Sequence, residues 1–298
     1  MTVINTNISA NIARDAIGRN DRAMATSMER LSTGLRINSA KDDAAGLAIA
    51  NRMAGQISGL NMAKRNANDA ISMVQTVEGA SKEIGSMLVR MRELAVQSAS
   101  GTYSQSDRAA LQLEFDELGL EVKRIQENTK WNGIALLDTA RTTAATKINI
   151  QLGASSGQTM ALSFKDWSLA NAAPAGSGTE SAYGVDLTAG ASFRIHSSVD
   201  SATSITEASA TITSLDTAIT GITSEQATYG AYLSRLQYAA DNISNVATNL
   251  DQSRSRIQDA DYAVETTALA RTQIIAQAST AMLAQANQVK QTVLALLQ

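Results

Sequence analysis

The feature that most constrains this fold is an apolar repeat in the last third of the chain. Apolar residues recur from position 212 to position 264 in steps that alternate between three and four, interrupted only by Gln226, Arg254 and Asp261. Such a spacing, sustained over about seven heptads, is typical of helices that pack lengthwise on other helices. A seam of this length needs apolar partners of matching length, so the sequence predicts long paired helices.

Two N-terminal stripes are the candidate partners of this seam. One covers residues 49–95 and the other residues 111–125, both mostly in steps of three or four. Ser106 and Asp107 are expected to cap the second of these helices. Because the stripes and the seam lie far apart in the chain, its two ends must come together. The predicted fold class is mainly α: an elongated rod of long coiled-coil-like helices formed by paired N- and C-terminal regions, with a small β-hairpin region in the middle of the chain.

The middle of the chain carries strand patterns instead of helical ones. The segment INIQL, starting at Ile148, alternates apolar and polar residues, and so does LSF, starting at Leu162 beyond the turn ASSGQ. This alternation predicts a hairpin. The segment ASFRIHS at 191–197 is a candidate third strand, and Asn132-Gly133 predicts a turn.

Composition excludes several classes of function. The chain has no Cys and one His, His196, so disulfides, thiolate chemistry, His-based catalytic triads and multi-His metal sites are ruled out. Its 25 basic and 28 acidic residues nearly balance, which leaves no polybasic field for nucleic acid. No apolar run approaches the roughly 18 residues of a membrane span, and the first residues lack a signal-peptide pattern. We therefore expect no catalytic residue, cofactor, metal site, nucleic-acid partner or membrane span.

Both ends of the chain are nearly uncharged. Residues 1–13 carry no charged side chain, and Lys290 is the only one in residues 272–298. Apolar residues still surround much of each predicted helix, so each needs protein on several sides. The N-terminal segment can cover only part of the C-terminal one, which predicts contact with other copies of the chain. The predicted assembly residues are Ile4, Ile8, Ile12, Ile275, Met282, Leu283, Val289, Val293 and Leu296.

The alternative is that both ends complete the core of a monomeric bundle. A monomer would normally place Lys and Glu on its outer face, and these segments do not. Repeated contacts between identical subunits that do not close into a ring produce an open helical filament. The composition of the ends therefore favours an assembling subunit whose terminal helices order as they become buried.

A joint interrupts the N-terminal helical pattern. The pattern breaks at residues 32–34 and restarts at Ser39, where S-x-x-D is close to a capping box. Asp42 and Asp43 fall in the predicted first turn, where the helix dipole favours carboxylates, and this explains them better than a paired acid–base site. The residues assigned to the joint are Ser32, Gly34, Asn38, Ser39, Asp42 and Asp43.

Several of these segments resemble the bacterial flagellins, the subunits of the flagellar filament. The N-terminal signature is similar in RLSTGLRINSAKDDAAGLAIANRM at 30–53, VINTN at 3–7, RNANDAISMVQTVEGA at 65–80 and VRMRELAVQSAS at 89–100. The segment from 235 to 288 resembles the C-terminal block of the family in order and spacing. The resemblance covers about residues 1–140 and 200–298, which is most of the chain.

The resemblance implies a secreted subunit that self-assembles into the bacterial flagellar filament for swimming motility after type III export. It divides the chain into an inner terminal-helix domain plus spoke at 1–38 and 257–298, a helical rod domain at 39–140 and 200–256, and a short β and loop variable region at 141–199. Because this region is short, separate outer domains are expected to be reduced or absent. The implied partners are other copies of the chain, the filament cap and hook-junction proteins, and an export chaperone.

The resemblance also implies a further partner, an animal Toll-like receptor that reads the segment like VRMRELAV in some flagellins. The matching positions are Arg90, Leu94 and, on the neighbouring helix, Glu114, where charge-assisted bonds would surround a Leu94 anchor. The alternative is that this surface serves only packing between subunits.

Two other functions stay open at this point. One is a hook–filament junction protein, whose members tend to carry a Pro-Ser-Asp-Asp-Pro type joint, unlike residues 39–44 here. The other is a flagellin-like surface protein for glycan binding or adhesion, which would need aromatic or acidic clusters in residues 141–200.

Overall fold

The structure, a computed structural model, describes residues 7–137, 147–165, 195 and 201–295, with residues 201 and 289–295 described by their backbone alone. Five helices and two short hairpins lie within these residues. The elements are α1 (Ile8–Thr33), α2 (Ala44–Ala99), α3 (Gln105–Asn128), β1 (Lys130–Trp131), β2 (Ile134–Ala135), β3 (Ile148–Gln151), β4 (Thr159–Leu162), α4 (Ser201–Gln258) and α5 (Tyr262–Ala295). The predicted fold class, mainly α with a small hairpin region in mid-chain, is confirmed. In the part of the chain that the structure covers, no helix has an apolar stretch long enough to cross a bilayer.

The chain divides into two compact units. The first unit combines the N-terminal part up to Ser58 with the C-terminal part from Val246 onward, and the second unit is formed by Gly59–Asn245. These units divide α2 and α4 at positions other than the sequence-based domain boundaries, which stay a prediction.

In the second unit, α2, α3 and α4 share one apolar core. Lys64 Nζ of α2 donates to Ser244 Oγ of α4 at 3.1 Å. Further along α2, Arg92 forms an ion pair with Asp216, so residue numbers fall along α4 as they rise along α2 and the helices are antiparallel. The expected pairing of the C-terminal seam with the two N-terminal stripes is confirmed. Core side chains from the three helices include Val74, Val77, Ile84, Leu88, Met91, Phe115, Val122, Leu215, Ile222, Tyr229 and Leu236.

The seam does not continue as one helix to residue 264, and the sequence-based expectation is wrong there. α4 ends at Gln258, and Val264, the last position of the repeat, is 62% exposed. The backbone N–H of Ala260 donates instead to the carbonyl oxygen of Gly34 at 2.9 Å. Periodicity cannot show this break, because the bond that competes with the helix comes from a residue far away in the sequence.

The mid-chain hairpin is confirmed. β3 and β4 are antiparallel, with Ile148 opposite Leu162 and Ile150 opposite Met160. Leu162 and, just beyond β4, Phe164 enter the core of the second unit. These side chains attach the hairpin to the helices.

The candidate third strand is not found at its one described residue. Ile195 is fully buried outside any strand, and its N–H donates to Gln112 Oε1 at 2.9 Å. Ser98 Oγ donates to the Ile195 carbonyl oxygen. Phe193 and His196 lie outside the described residues. Side-chain partners on α2 and α3 thus take the place of strand partners at Ile195.

Local turn chemistry accounts for two further elements. Asn132 and Gly133 have φ of 47° and 78°, the left-handed values of a tight hairpin turn, so the predicted turn is confirmed, and the strands that flank it are new. α3 is capped by Ser104 and not by Ser106, since Ser104 and Asp107 form the reciprocal bonds of a capping box.

Candidate assembly surface and joint

The assembly surface begins with the pairing of α1 and α5 in the first unit. Asn20 Nδ2 donates to the carbonyl oxygen of Thr272 at 2.8 Å, and the hydroxyl of Tyr262 donates to the carbonyl oxygen of Leu31 at 2.9 Å. Residue numbers rise along α1 as they fall along α5, so the pair is antiparallel. The expectation that the two ends of the chain come together is confirmed.

The most buried side chains of this pair are small or polar. On α1 they are Ala10, Asn20 and Ser27, and the larger Ile17, Met24 and Leu31 are half-buried. On α5 Glu265 is buried, and the half-buried positions are Ala268, Leu269, Thr272, Ala276, Ser279, Leu283 and Ala286. Small side chains allow two helix backbones to approach closely but bury little apolar area. Close packing and polar contacts therefore hold α1 and α5 together more than apolar burial does.

Large apolar side chains lie on the outer faces of the same pair. Ile8 and Ile12 of α1 are 54% and 62% exposed, and Met282 of α5 is 68% exposed. Ile274 and Ile275 are exposed as well. A helix pair that is stable alone in water normally buries its large apolar residues and exposes polar ones. Among the described residues of this pair no large apolar side chain is fully buried and several are exposed, which is typical of a surface that another protein covers.

The predicted assembly residues fall into three groups. Ile8, Ile12, Ile275 and Met282 are exposed, whereas Leu283 is half-buried. Val289 and Val293 lie in α5 without described side chains, and Ile4 and Leu296 lie outside the described residues. Sequence reasoning did not identify Asn20 and Ser27 as interface residues. Their spacing of seven, two turns of one helix face, is the signal that could have found them.

The joint begins at the C-terminal cap of α1, where the capping residue has a left-handed backbone conformation. Gly34 has a φ of 72°, and its N–H donates to the carbonyl oxygen of Arg30 at 2.9 Å. Residues with a Cβ rarely adopt this conformation, so a glycine is favoured here. Ser32, assigned to the joint from the sequence, lies in the last turn of α1.

A second break, between α4 and α5, is hydrogen-bonded to the first. The N–H of Arg36 donates to the carbonyl oxygen of Gln258 at 2.7 Å, and its Nη2 donates to the carbonyl oxygen of Ile257 at 2.6 Å. Together with the Ala260–Gly34 bond, these contacts show that the joint consists of two chain segments, one between α1 and α2 and one between α4 and α5. Its C-terminal half was missed from the sequence. Asp261, a polar residue within an apolar seam, was the available signal, since its Oδ1 accepts from Ala263 N at the start of α5.

Residues 38–43 form a turn of their own before α2. Asp42 Oδ2 accepts from the N–H of Asn38 and from both the N–H and the Oγ of Ser39, at 2.9 to 3.2 Å. The helix restart predicted at Ser39 is wrong, because α2 begins at Ala44. Asp43 occupies the cap position, where its Oδ1 accepts from the N–H of Gly46 at 2.9 Å.

We expect the joint to lose stability in acid. Hydrogen bonds from the N–H and the hydroxyl of Ser39 hold the pKa of the Asp42 carboxyl below its ordinary value of 3.8. A lowered pKa in the folded state means that the stabilisation is complete above about pH 3.8 and is lost as the pH falls through the folded value. Hydrogen exchange of the Ser39 amide should therefore gain protection as the pH rises through this range. Asp42→Asn should remove that dependence, and an unchanged profile in this variant would contradict the assignment.

The joint also depends on the absence of a side chain at Gly46. A Cβ there would lie 2.6 Å from Cδ1 of Ile37, a buried residue of the turn. We expect Gly46→Ala to destabilise the joint by about 1–3 kcal/mol through overpacking, measured by hydrogen exchange of residues 34–47. Gly55→Ala is the matched control in α2, because nothing lies within 4 Å of its Cβ, and it should stabilise the helix by roughly 0.5–1 kcal/mol. Equal effects of the two variants would argue against this packing.

The positions that resemble a receptor-binding segment lie in the second unit. Nε and Nη2 of Arg90 donate to Glu114 Oε1 at 2.9 and 2.7 Å, and its Nη1 donates to Glu93 at 3.0 Å. Leu94 is 1% exposed and belongs to the core of the unit. Arg90 and Glu114 thus connect α2 to α3 at the surface, but the side chain of Leu94 is not available there as an anchor. Receptor recognition through these three residues stays a prediction.

Family models describe both ends of this chain. The bacterial flagellin N-terminal helical region matches residues 4–142, and the bacterial flagellin C-terminal helical region matches residues 212–297. A flagellin of Halalkalibacterium halodurans is 41% identical over 297 residues, with 99% of each chain covered. The flagellar filament 33 kDa core protein of Treponema phagedenis is 36% identical over 301 residues, again with 99% of each covered.

A flagellar hook-associated protein from Vibrio parahaemolyticus has a related solved structure. Its TM-score is 0.57 at 14% sequence identity, and the match covers 73% of this chain and 100% of that one. An identity this low shows a common fold only. The two flagellar relatives, in contrast, match almost from end to end, and the chain therefore belongs to the bacterial flagellin family, as a short form.

Proposed function

We propose that this protein is the structural subunit of a bacterial flagellar filament and that its copies join through the exposed faces of α1 and α5. The observation that carries the proposal is the distribution of side chains in that helix pair: its buried side chains are small or polar, and several of its large apolar ones are exposed. Family membership supports the same function, because flagellins are structural proteins and two end-to-end relatives are named for the flagellum or its filament.

The energetics favour assembly driven by several residues together. Burying one exposed Ile or Met side chain contributes about 1.5–3 kcal/mol, whereas association costs about 4–15 kcal/mol in lost freedom. No single contact can offset that cost, but a face that includes Ile8, Ile12, Ile275 and Met282 can contribute on the required scale. Assembly should therefore depend steeply on subunit concentration.

The route to the filament and the other partners belong to the same proposal. Secretion through the flagellar type III apparatus, a cytosolic chaperone for the C-terminal segment, and contacts with the filament cap and hook-junction proteins follow from family membership. The order in which the terminal helices fold is also part of it, since a surface this apolar is best ordered when it becomes buried.

The two alternatives have weaker support. A hook–filament junction protein is not favoured, because that likeness is confined to the fold at 14% identity, whereas the flagellar relatives reach 41% and 36%. Glycan binding or adhesion would depend on residues 141–200, most of which lie outside the described residues, and no observation favours it.

Electron microscopy of the purified full-length chain tests the proposal. A kosmotropic salt such as ammonium sulfate strengthens apolar burial and should induce long helical filaments above a threshold protein concentration. The same protein held below that threshold is the control and should stay dispersed. A chain that remains dispersed at every concentration and salt level, even with filament fragments added as seeds, would contradict the proposed function.

A further inference from the structure

Asn20 is a polar side chain buried within the interface of α1 and α5. It is 8% exposed, and its Nδ2 donates to the carbonyl oxygen of Thr272 at 2.8 Å. A carbonyl oxygen within a helix has a second lone pair that can accept this bond without breaking the helix. The hydroxyl of Thr272 bonds to the carbonyl oxygens of Ala268 and Leu269 in its own helix, so it does not compete for the amide.

The packing around this bond specifies the alignment of the two helices poorly. Four of the α5 residues along the interface are small, Ala268, Ala276, Ser279 and Ala286, and the two large apolar ones, Leu269 and Leu283, are only half-buried. A slip of one turn, about 5.4 Å, would bring one small residue into the place of another. Apolar packing alone would therefore leave neighbouring registers close in energy.

Other polar contacts of the pair lie nearer to its ends. Asn7 Nδ2 donates to the carbonyl oxygen of Ala286 at 3.3 Å, and Arg30 forms an ion pair of 2.9 Å with Glu265. The side chains of Arg30 and Glu265 are 31% and 10% exposed, so water and salt reach this pair from the arginine side. The Asn20 amide is the most central of these contacts, and after a slip its N–H groups would face other helix carbonyls with altered geometry or none at all.

We propose that Asn20 sets the register of α1 against α5 and thereby determines the shape of the assembly surface. A buried asparagine between paired helices is known to specify register at some cost in stability. A slip would keep the helices paired but would displace Ile8 and Ile12 by about 5.4 Å relative to Met282. The inference deepens the proposed function, because the surface that the register shapes is the one through which copies would join.

The absence of cysteine from the chain makes disulfide mapping unambiguous. In the native register Asn20 lies opposite Thr272. Because the helices are antiparallel, Ala13, seven residues before Asn20, lies opposite Ser279, seven residues after Thr272. Ala13→Cys with Ser279→Cys should therefore crosslink in that register. Ala13→Cys with Ala276→Cys reports a slip of about one turn, since a disulfide needs Cα atoms within about 7 Å.

The experiment introduces Asn20→Leu into both full-length cysteine pairs under polymerising conditions. We expect the ratio of slipped to native crosslinks to rise about 2- to 12-fold, the equilibrium factor of one hydrogen bond. Helicity measured by circular dichroism should be unchanged or higher, because Leu is apolar and favours helix, while filament yield should fall. Asn11→Leu, the same substitution at an exposed position of α1, is the control and should leave the crosslink ratio unchanged.

Several outcomes would overturn the inference. Native crosslinks alone in Asn20→Leu would show that packing sets the register without the amide. Loss of helicity and of both crosslinks in Asn20→Leu would show that Asn20 merely stabilises the pair, provided that Asn20→Ala gives the same result. The alanine variant adds no bulk, so it separates loss of the amide from overpacking by leucine. A wild-type chain without the native crosslink would also exclude it. Native crosslinks in a chain that never forms filaments would instead contradict the proposed function and leave the register assignment intact.

Discussion

We expect a chain carrying Met282→Asp to fold normally and to form no filaments at concentrations at which the wild type assembles. Met282 is 68% exposed on α5, so an aspartate at this position is hydrated in the free subunit and costs little. In a filament the same carboxylate would be buried without a partner, at about 3–5 kcal/mol. Because each 1.4 kcal/mol is a factor of ten, the threshold concentration for assembly should rise by roughly two to four orders of magnitude. Sedimentation of polymer against total protein measures that threshold.

Two further variants separate assembly from folding. Met282→Leu keeps an apolar side chain of similar size and should assemble like the wild type. Leu283→Asp changes the adjacent residue, which is half-buried, and should lower the helicity of the first unit as well as the filament yield. If Met282→Asp formed filaments at the wild-type threshold, this face of α5 could not be an assembly contact.

Deleting residues 272–298 should abolish filaments and leave the second unit folded. The deletion removes most of α5, including Thr272, the partner of Asn20, so α1 loses the helix that it packs against. The second unit, Gly59–Asn245, has its own core from α2, α3 and α4 and does not use the deleted residues. Limited proteolysis should digest α1 and spare the second unit, while thermal unfolding retains the transition of that unit.

Addition of the truncated chain to wild-type seeds provides the control for this deletion. The truncated protein should not be incorporated, whereas labelled full-length protein should elongate the same seeds. Incorporation of the truncated chain would show that residues 272–298 are dispensable for assembly. Loss of the thermal transition of the second unit would show that it does not fold independently of α5.

Local periodicity predicted the helices and their partners well. The repeat from 212 onward required apolar burial along one face, and α4 packs that face against α2 in the second unit. The hairpin at Ile148–Gln151 and Thr159–Leu162 followed from alternation in the same way. Both patterns depend on which face of an element is apolar, and the order of residues determines that face directly.

The pattern S-x-x-D has two different outcomes at Ser39 and at Ser104. Ser104 and Asp107 form a capping box at the start of α3. The N–H and the hydroxyl of Ser39 donate to Asp42 in a turn that ends before α2 begins, but the Asp42 N–H donates to the carbonyl oxygen of Ser39 and not to its hydroxyl. The sequence gives no local sign of the difference. Backbone bonds between residues 34–36 and 258–260, more than 200 positions away, belong to the second case only.

The sequence alone determined that the ends of this chain are too apolar and too weakly charged to remain uncovered. Only the tertiary structure decided which side chains fill the α1–α5 interface and which remain outside. The close approach of the two helices selects small residues and the Asn20 amide for the inside, so Ile8, Ile12 and Met282 face outward. Composition counts apolar residues, but the distance between two helix backbones decides which of them are left for another molecule to bury.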